Sequence, residues 1–146
     1  MNLAKNKLII YAAIVAFLGF LDASYLTIEH FKNSIPPCTT GGCEAVLTSK
    51  YAVILGVPMA LLGSLFYLSV IVLCLLILTS YKEIFLKIFY ILAVWGFVFS
   101  MFLLGLQAFV IHSFCQYCLL SVATSTGIAL LAFLDFRKEK GLKIQE

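Results

Sequence analysis

The chain has 146 residues, of which 63% are hydrophobic and 12% carry a charged side chain. A soluble domain of this length cannot bury so many apolar side chains, so the composition excludes a water-soluble globule and predicts an integral membrane protein. The net charge of +3 arises from ten basic and seven acidic residues scattered along the chain, which is too little to predict nucleic-acid binding.

Four apolar stretches are long enough to cross a lipid bilayer, which takes about 20 helical residues. They run over residues 8–26, 58–78, 88–111 and 115–134. No Lys, Arg, Asp or Glu occurs over residues 88–134, and a single helix of that length would not fit the bilayer. We therefore place a turn at His112, Ser113 and Phe114. The sequence predicts an all-α integral membrane protein, a four-transmembrane-helix bundle that forms one domain over residues 1–146.

The basic residues predict the orientation of the bundle, because Lys and Arg accumulate in short cytoplasmic segments. Eight of them fall before the first span, between the second and third, or after the fourth: Lys5, Lys7, Lys82, Lys87, Arg137, Lys138, Lys140 and Lys143. Only Lys32 and Lys50 fall on the other side. Both termini are therefore predicted to be cytoplasmic. The apolar stretch after Lys7 is too long for a cleavable signal peptide, so we expect a retained helix.

A long loop over residues 29–57 is predicted to be extracytoplasmic. Within it, residues 44–51 mix apolar and polar side chains at roughly helical spacing, which indicates a short amphipathic helix along the membrane surface. Gly56 and Pro58 are expected to end the loop and begin the second span.

Two cysteine pairs of unequal spacing fall on this predicted extracytoplasmic side, where disulfides persist. Cys38 and Cys43 flank a glycine-bearing segment with considerable backbone freedom, so this pair is predicted to be mobile. Cys115 and Cys118 stand at the start of the fourth helix, whose N-terminus stabilises a thiolate. Because electrons pass between thiol pairs through mixed disulfides, the two pairs predict a dithiol relay.

Other interpretations of these residues remain open. The four cysteines could bind zinc or form two structural disulfides, although a bridge between Cys115 and Cys118 would constrain very little chain. Cys74, in the middle of a span, is expected to serve packing. His30 and His112 could carry protons or be interfacial polar residues. Asp22, near the end of the first span, is either functional or simply solvated or paired.

The sequence resembles the vitamin K epoxide reductase family of membrane thiol oxidoreductases over most of the chain. The residues that carry the resemblance are Tyr25-Leu26-Thr27 with His30, the pair Cys38 and Cys43, Ser49, residues 56–63 (GVPMALLG), and Cys115-Gln116-Tyr117-Cys118. The order of the pairs distinguishes it from DsbB-type oxidases, in which the C-x-x-C pair precedes the other pair.

The resemblance implies a membrane enzyme that couples thiol oxidation to a quinone of the ubiquinone, menaquinone or phylloquinone type. Cys38 would exchange with a partner's thiols, Cys43 would attack Cys115, and Cys118 would face the quinone. Ser49 matches a loop serine near the active centre of the family. Because no thioredoxin-like domain follows, the expected partner is a separate thioredoxin-like or DsbA-like protein. The expected location of the enzyme is a prokaryotic plasma membrane.

Three further residues are candidates for contact with the quinone. Phe114, next to Cys115, is the expected ring contact. Ala52 and Val122 stand close to the positions where eukaryotic members place an asparagine and a tyrosine, so they predict weaker hydrogen bonding to the quinone and disfavour vitamin K epoxide as the substrate. The alternatives are reduction of vitamin K or its epoxide, and a non-catalytic tetraspan protein with structural disulfides or a cysteine-bound metal.

Overall fold

The computed structural model describes residues 3–144, with the side chains of residues 7–142 and 144. Its elements, in chain order, are α1 (Leu3–Phe31), α2 (Cys43–Leu47), β1 (Val53–Ile54), β2 (Val57–Pro58), α3 (Met59–Thr79), α4 (Glu83–Leu106), a π-helical turn (Gln107–Ile111) and α5 (Gln116–Ile144). Among the basic residues that predict the orientation, Lys5 and Lys143 have side chains outside the described ones.

Among the described residues, four helical segments are long and apolar enough to cross a membrane: Lys7–Phe31, Met59–Thr79, Glu83–Ile111 and Gln116–Leu142. They confirm the prediction of a multi-pass, mainly helical membrane protein. The helices run beyond the predicted spans, and α5 continues past Leu134 to Ile144. The span predicted from hydropathy ends at the first charged residues. The helix itself continues through Arg137, Lys138 and Glu139, because these are good helix formers and need no hydrocarbon environment.

The four long helices form a bundle in which α1 and α4 each pack against both α3 and α5. Small residues on α1, including the fully buried Ala12 and Ala16, let its backbone approach its neighbours closely. The ring of Tyr67 on α3 lies over Gly19, where a Cβ atom would collide with it. The helices are therefore closely packed around α1, and Tyr67 and Phe89 are the largest fully buried side chains of the described residues.

The connection from α1 to α3 contains both short elements. The helix α2 ends at Leu47, short of the predicted residue 51, because Thr48 and Ser49 donate side-chain hydrogen bonds to backbone carbonyls of the preceding turn. Strands β1 and β2 then pair antiparallel, with Val53 opposite Pro58. Pro58 directly precedes the first residue of α3, as the sequence predicts. The position of α2 at the membrane surface stays a prediction.

Candidate functional site

The two cysteine pairs meet at one end of the bundle. The loop that follows α1 and the turn that joins α4 to α5 lie at the same end because the four helices alternate in direction. Cys43 and Cys115 are both fully buried and pack together with Val46. Cys38 and Cys118 pack against them and remain partly exposed. We call these four residues the cysteine cluster.

Cys38 and Cys43 are joined by a disulfide with an Sγ–Sγ distance of 2.09 Å, whereas Cys115 and Cys118 are free thiols. The zinc alternative requires four thiolates, but two of the sulfurs are bonded to each other. Within the described part of the chain, no group of three or more His, Cys, Asp or Glu residues is placed to hold a metal ion. Cys74 is a free thiol buried in the bundle core, apart from the cluster.

The cysteine loop is held by the two residues between Cys115 and Cys118. The carbonyl oxygen of the Gln116 side chain accepts hydrogen bonds from the backbone N–H of Thr39, at 3.1 Å, and from its hydroxyl. The amide nitrogen of Gln116 and the hydroxyl of Tyr117 both donate to the backbone oxygen of Pro37, at 3.4 and 2.8 Å. In this state, therefore, the loop is fixed against the start of α5.

A second contact brings Cys43 up to the turn before α5. The hydroxyl of Thr40 donates to the backbone oxygen of Phe114 at 3.0 Å. At Gly42, an added Cβ would lie 2.8 Å from the backbone nitrogen of Phe114 and nearer still to its carbonyl oxygen. Residue 42 must be a glycine because its backbone approaches that of Phe114 too closely to leave room for a Cβ atom.

The buried amide Gln107 shapes the turn that carries Cys115. Its backbone oxygen accepts a hydrogen bond from the N–H of Ser113 at 3.2 Å. Its side-chain oxygen accepts one from the N–H of Cys115 at 3.1 Å. His112, which directly precedes Ser113, adopts the left-handed conformation with φ of 54°. The predicted break at residues 112–114 is thus confirmed, and Gln107 is what holds its geometry.

Sequence reasoning missed Gln107, and it gave Gln116 and Tyr117 no role beyond membership in the motif. A signal for Gln107 was present, because an uncharged amide inside a long apolar stretch requires hydrogen-bond partners. Gln116 and Tyr117 carried no comparable signal, since their partners lie almost 80 residues earlier in the chain.

Cys115 lies directly before α5 and accepts hydrogen bonds through its sulfur. The thiol of Cys118 donates to it, which lowers the pKa of the Cys115 thiol to about 6. Burial opposes this effect, while the backbone N–H groups of Cys118 and Tyr117 add to it. Cys115 is therefore the member of the pair that holds a thiolate at neutral pH.

A cavity of about 790 Å³ opens beside the cysteine cluster between the helices. Four of the predicted site residues line it: Cys118, Ser49, Ala52 and Val122. Phe114 does not. Its ring is 44% exposed, and with His112 it borders a shallow depression on the outer surface instead. His30, in contrast, does line the large cavity.

The walls of the cavity are mainly apolar and aromatic, with Phe66, Trp95 and Phe99 among the lining side chains. Tyr67 also lines it, but its hydroxyl is occupied by hydrogen bonds to Ser121 and to Thr124, at 2.7–2.9 Å. Asp22 lines it too, and the Oδ2 atom of this carboxyl group is buried with no hydrogen-bond partner in the structure.

The fold and the site together define a multi-pass membrane protein whose two cysteine pairs pack in one cluster at one end of the bundle. A sequence model of the vitamin K epoxide reductase family matches residues 10–133, which is most of the chain. The chain therefore belongs to the vitamin K epoxide reductase family and is a membrane thiol-disulfide oxidoreductase. The resemblance deduced from the sequence is confirmed.

The residues of the cavity suit the quinone with which this family is associated. A quinone is a flat, largely apolar ring with two oxygens that accept hydrogen bonds and, on reduction, protons. The volume falls in the range of about 300–1,000 Å³ typical of small-molecule sites. Aromatic walls match the ring, the sulfur of Cys118 belongs to the wall, and the unpartnered oxygen of Asp22 offers a polar contact.

Proposed function

We propose that this protein is a quinone-coupled thiol-disulfide oxidoreductase that reoxidises a thioredoxin-like or DsbA-like partner and so supports disulfide formation outside the cytoplasm. One observation carries the proposal. Cys43 and Cys115 are buried together, between a partly exposed Cys38 on the loop and a Cys118 that lines the cavity. This order matches a path from a partner in solution to an acceptor within the bundle.

Electrons enter at the loop pair. A thiolate of the partner attacks Cys38, the more accessible sulfur of the disulfide, and Cys43 leaves as a thiolate. The partner's second thiolate then attacks the mixed disulfide, which releases Cys38 and leaves the partner oxidised. Two electrons have moved, and the loop pair is now a dithiol.

Transfer within the protein follows the same chemistry. The Cys43 thiolate attacks Cys115 of an oxidised Cys115–Cys118 pair, and Cys118 leaves as a thiolate. Cys38 then attacks Cys43, which restores the loop disulfide and releases Cys115. The outcome is the covalent state seen in the structure, with a disulfide between Cys38 and Cys43 and thiols at Cys115 and Cys118.

A quinone bound in the cavity would act as the electron acceptor and would take up two electrons and two protons. Cys118 and the aromatic side chains Phe66, Trp95 and Phe99 would hold it. The apolar walls limit the access of water to the sulfur of Cys118 and so limit its side reactions. As the two electrons leave, a disulfide forms between Cys115 and Cys118, and the site is ready for the next attack by Cys43.

We further propose that both termini are cytoplasmic and the cysteine cluster extracytoplasmic. The basic residues with described side chains support this orientation. Six of them lie at the end of the bundle opposite to the cluster, namely Lys7, Lys82, Lys87, Arg137, Lys138 and Lys140. Lys32 and Lys50 lie at the cluster's own end.

The proposal is tested with purified protein, a water-soluble quinone analogue and a reduced thioredoxin-like protein as electron donor. Quinone reduction should depend on the protein, and Cys118→Ala should abolish it because the electrons then have no exit. Cys74→Ala is the matched control, since it removes a free thiol outside the cluster and should leave turnover within about twofold. Turnover that survives Cys118→Ala would contradict the relay and favour a protein with structural disulfides.

A further inference from the structure

Asp22 is a carboxylic acid held within the membrane-spanning part of α1. Its side chain is only 8% exposed, and it lines the cavity that Cys118 also lines. The Oδ2 atom has no hydrogen-bond partner in the structure. The carboxyl group interacts electrostatically with both Cys115 and Cys118.

Such a group is costly to bury as a bare anion, because no donor or cation compensates the charge on Oδ2. The phenol of Tyr67, which interacts electrostatically with Asp22, is already engaged with Ser121 and Thr124. The unpartnered oxygen is therefore a favourable place for a proton. It lies on the cavity wall, where a proton can be exchanged with whatever the cavity holds.

The proposed function requires proton transfer at this place. Two thiols lose their protons when they form a disulfide, and a quinone gains two protons when it becomes a hydroquinone. We propose that Asp22 is the proton carrier of this site, which takes the proton of the Cys118 thiol and gives one to the quinone oxygen. This inference rests on the proposed function, since it assigns the proton path of the same reaction.

Asp22 starts protonated, and its O–H bond breaks as an O–H bond forms on the acceptor. The S–H bond of Cys118 breaks and its proton restores the acid form of Asp22. A sulfur–sulfur bond forms between Cys118 and Cys115, and two electrons pass from the sulfurs to the acceptor. The second proton comes from the solvent, which received the one that Cys115 gave up on becoming a thiolate.

The surroundings of Asp22 leave few competing groups. On α1 itself, Glu29 and His30 line the cavity about two turns further on. Tyr51 lines it from the segment after α2, and Tyr67 from α3. Of the titratable groups at the start of α5, Cys118 lines the cavity and Cys115 interacts electrostatically with Asp22, whereas the hydroxyl of Tyr117 is engaged with the backbone oxygen of Pro37. The helix α4 contributes apolar side chains and Ser100 to the lining. Glu29 accepts a hydrogen bond from Ser34, so it differs from Asp22 in having a donor.

The first test needs no quinone. In a Cys38→Ser/Cys43→Ser protein, the remaining pair is cycled between dithiol and disulfide with chemical reagents, and the infrared difference spectrum is recorded. A signal from the C=O stretch of a protonated carboxyl group should appear and shift in D₂O. It should vanish in Asp22→Asn, move in Asp22→Glu and persist in Glu29→Gln. No such signal in the parent protein, or one unchanged in Asp22→Asn, overturns the proposal.

The second test measures turnover. Asp22→Asn should lower kcat about 100-fold, in line with the contribution of general acid–base catalysis, and should leave the KM for the quinone analogue within about twofold. Asp22→Glu should restore at least a tenth of the kcat of the parent. Unfolding monitored by Trp95 fluorescence shows whether Asp22→Asn is folded. If Asp22→Asn does not fold, the kcat of Asp22→Glu and the infrared spectrum of the parent protein still test the proposal.

Different results would contradict the proposed function and the proton-carrier role of Asp22. A parent protein that reduces no quinone contradicts the proposed function. A parent whose quinone reduction depends on Cys118, combined with a fully active Asp22→Asn protein, contradicts the proton-carrier role alone.

Discussion

At the scale of single residues, the four cysteines differ in ways that match four roles. Cys38 is accessible, Cys43 and Cys115 are buried against each other, and Cys118 lines the cavity. Cys115 accepts hydrogen bonds from the start of α5, which makes it the thiolate of its pair. A stabilised thiolate is also a good leaving group, so Cys115 is readily released when Cys38 restores the loop disulfide.

The lowered pKa of Cys115 predicts how the reduction potential of the Cys115–Cys118 pair depends on pH. Below about pH 6, reduction of the disulfide takes up two protons, and the potential should fall by about 59 mV per pH unit. Above that pH the reduced form holds Cys115 as a thiolate, only one proton is taken up, and the slope should fall to about 30 mV. The dithiol is thereby favoured above pH 6 relative to a pair with ordinary thiols.

Redox titration of the Cys38→Ser/Cys43→Ser protein against a dithiol buffer, from about pH 4.5 to pH 8, measures both slopes. Mass-shift labelling gives the fraction of free thiol at each potential. A single slope of about 59 mV throughout would mean that Cys115 titrates like an ordinary cysteine, whose pKa is about 8.5.

At the scale of elements, the exchange between the pairs depends on how closely the loop approaches the turn before α5. Gly42 permits that approach, since its backbone passes the backbone of Phe114 without room for a Cβ. Gln107 fixes the other side of the contact through its hydrogen bonds to Ser113 and Cys115. Backbone contacts at Gly42, Phe114 and Cys115 thus help to set the position of Cys43.

Gly42→Ala should therefore impair transfer from loop to bundle. In a Cys38→Ser background, Cys43 cannot return to its own partner, and a disulfide between Cys43 and Cys115 should form under mildly oxidising conditions. Adding Gly42→Ala should lower its yield at least fivefold and destabilise the protein by about 1–3 kcal/mol, as overpacking does. Peptide mapping under non-reducing conditions measures the cross-link.

Gly41→Ala is the control for this substitution. Gly41 has φ of +73° but open space around it, so alanine costs about 1–2 kcal/mol of backbone strain without a collision. The cross-link should persist there. Equal yields in both variants would show that the close approach at Gly42 does not control the exchange.

Particular elements show what the sequence could predict. Hydropathy located four spans because the bilayer demands about 20 apolar residues from each, and no tertiary contact alters that requirement. Leu55 shows the opposite case. It turns the hairpin between β1 and β2 with φ of 52°, a conformation that leucine adopts rarely, so the residue type gave no sign of the turn.

The sequence predicted where the cysteine pairs of the candidate site meet, but it could not predict the direction of the Phe114 side chain. The meeting of the two cysteine pairs follows from the helix count, which places them at one end. The ring contact predicted for Phe114 rested on its position next to Cys115. That position gives no direction for the side chain, and the backbone of Phe114, engaged by Thr40, leaves the ring turned outward.

At the scale of the whole molecule, most of the basic residues with described side chains lie at the end of the bundle opposite to the cysteine cluster. Lys50 follows α2 and lies at the same end of the bundle as the cysteine cluster. Lys87 lies in the first turns of α4, at the opposite end of the bundle. Both are exposed. Because basic residues accumulate on the cytoplasmic side, the cluster end is expected to face outward.

Labelling with a membrane-impermeant maleimide tests this orientation. In a protein whose five native cysteines are replaced, Lys50→Cys should be labelled in intact cells. Lys87→Cys should be labelled only after the membrane is permeabilised. The reverse pattern would place the cysteine cluster in the cytoplasm and exclude a role in extracytoplasmic disulfide formation.

The hydrogen bonds from Gln116 and Tyr117 to the cysteine loop have a consequence for protein engineering. The residues that separate Cys115 from Cys118 also fasten residues 37–39, so the loop and the C-x-x-C motif form one structural module. A chimera that borrows a relative's loop to change partner specificity must borrow that relative's C-x-x-C segment too. If only one of the two segments is exchanged, the hydrogen bonds that align the loop with the C-x-x-C segment would be lost.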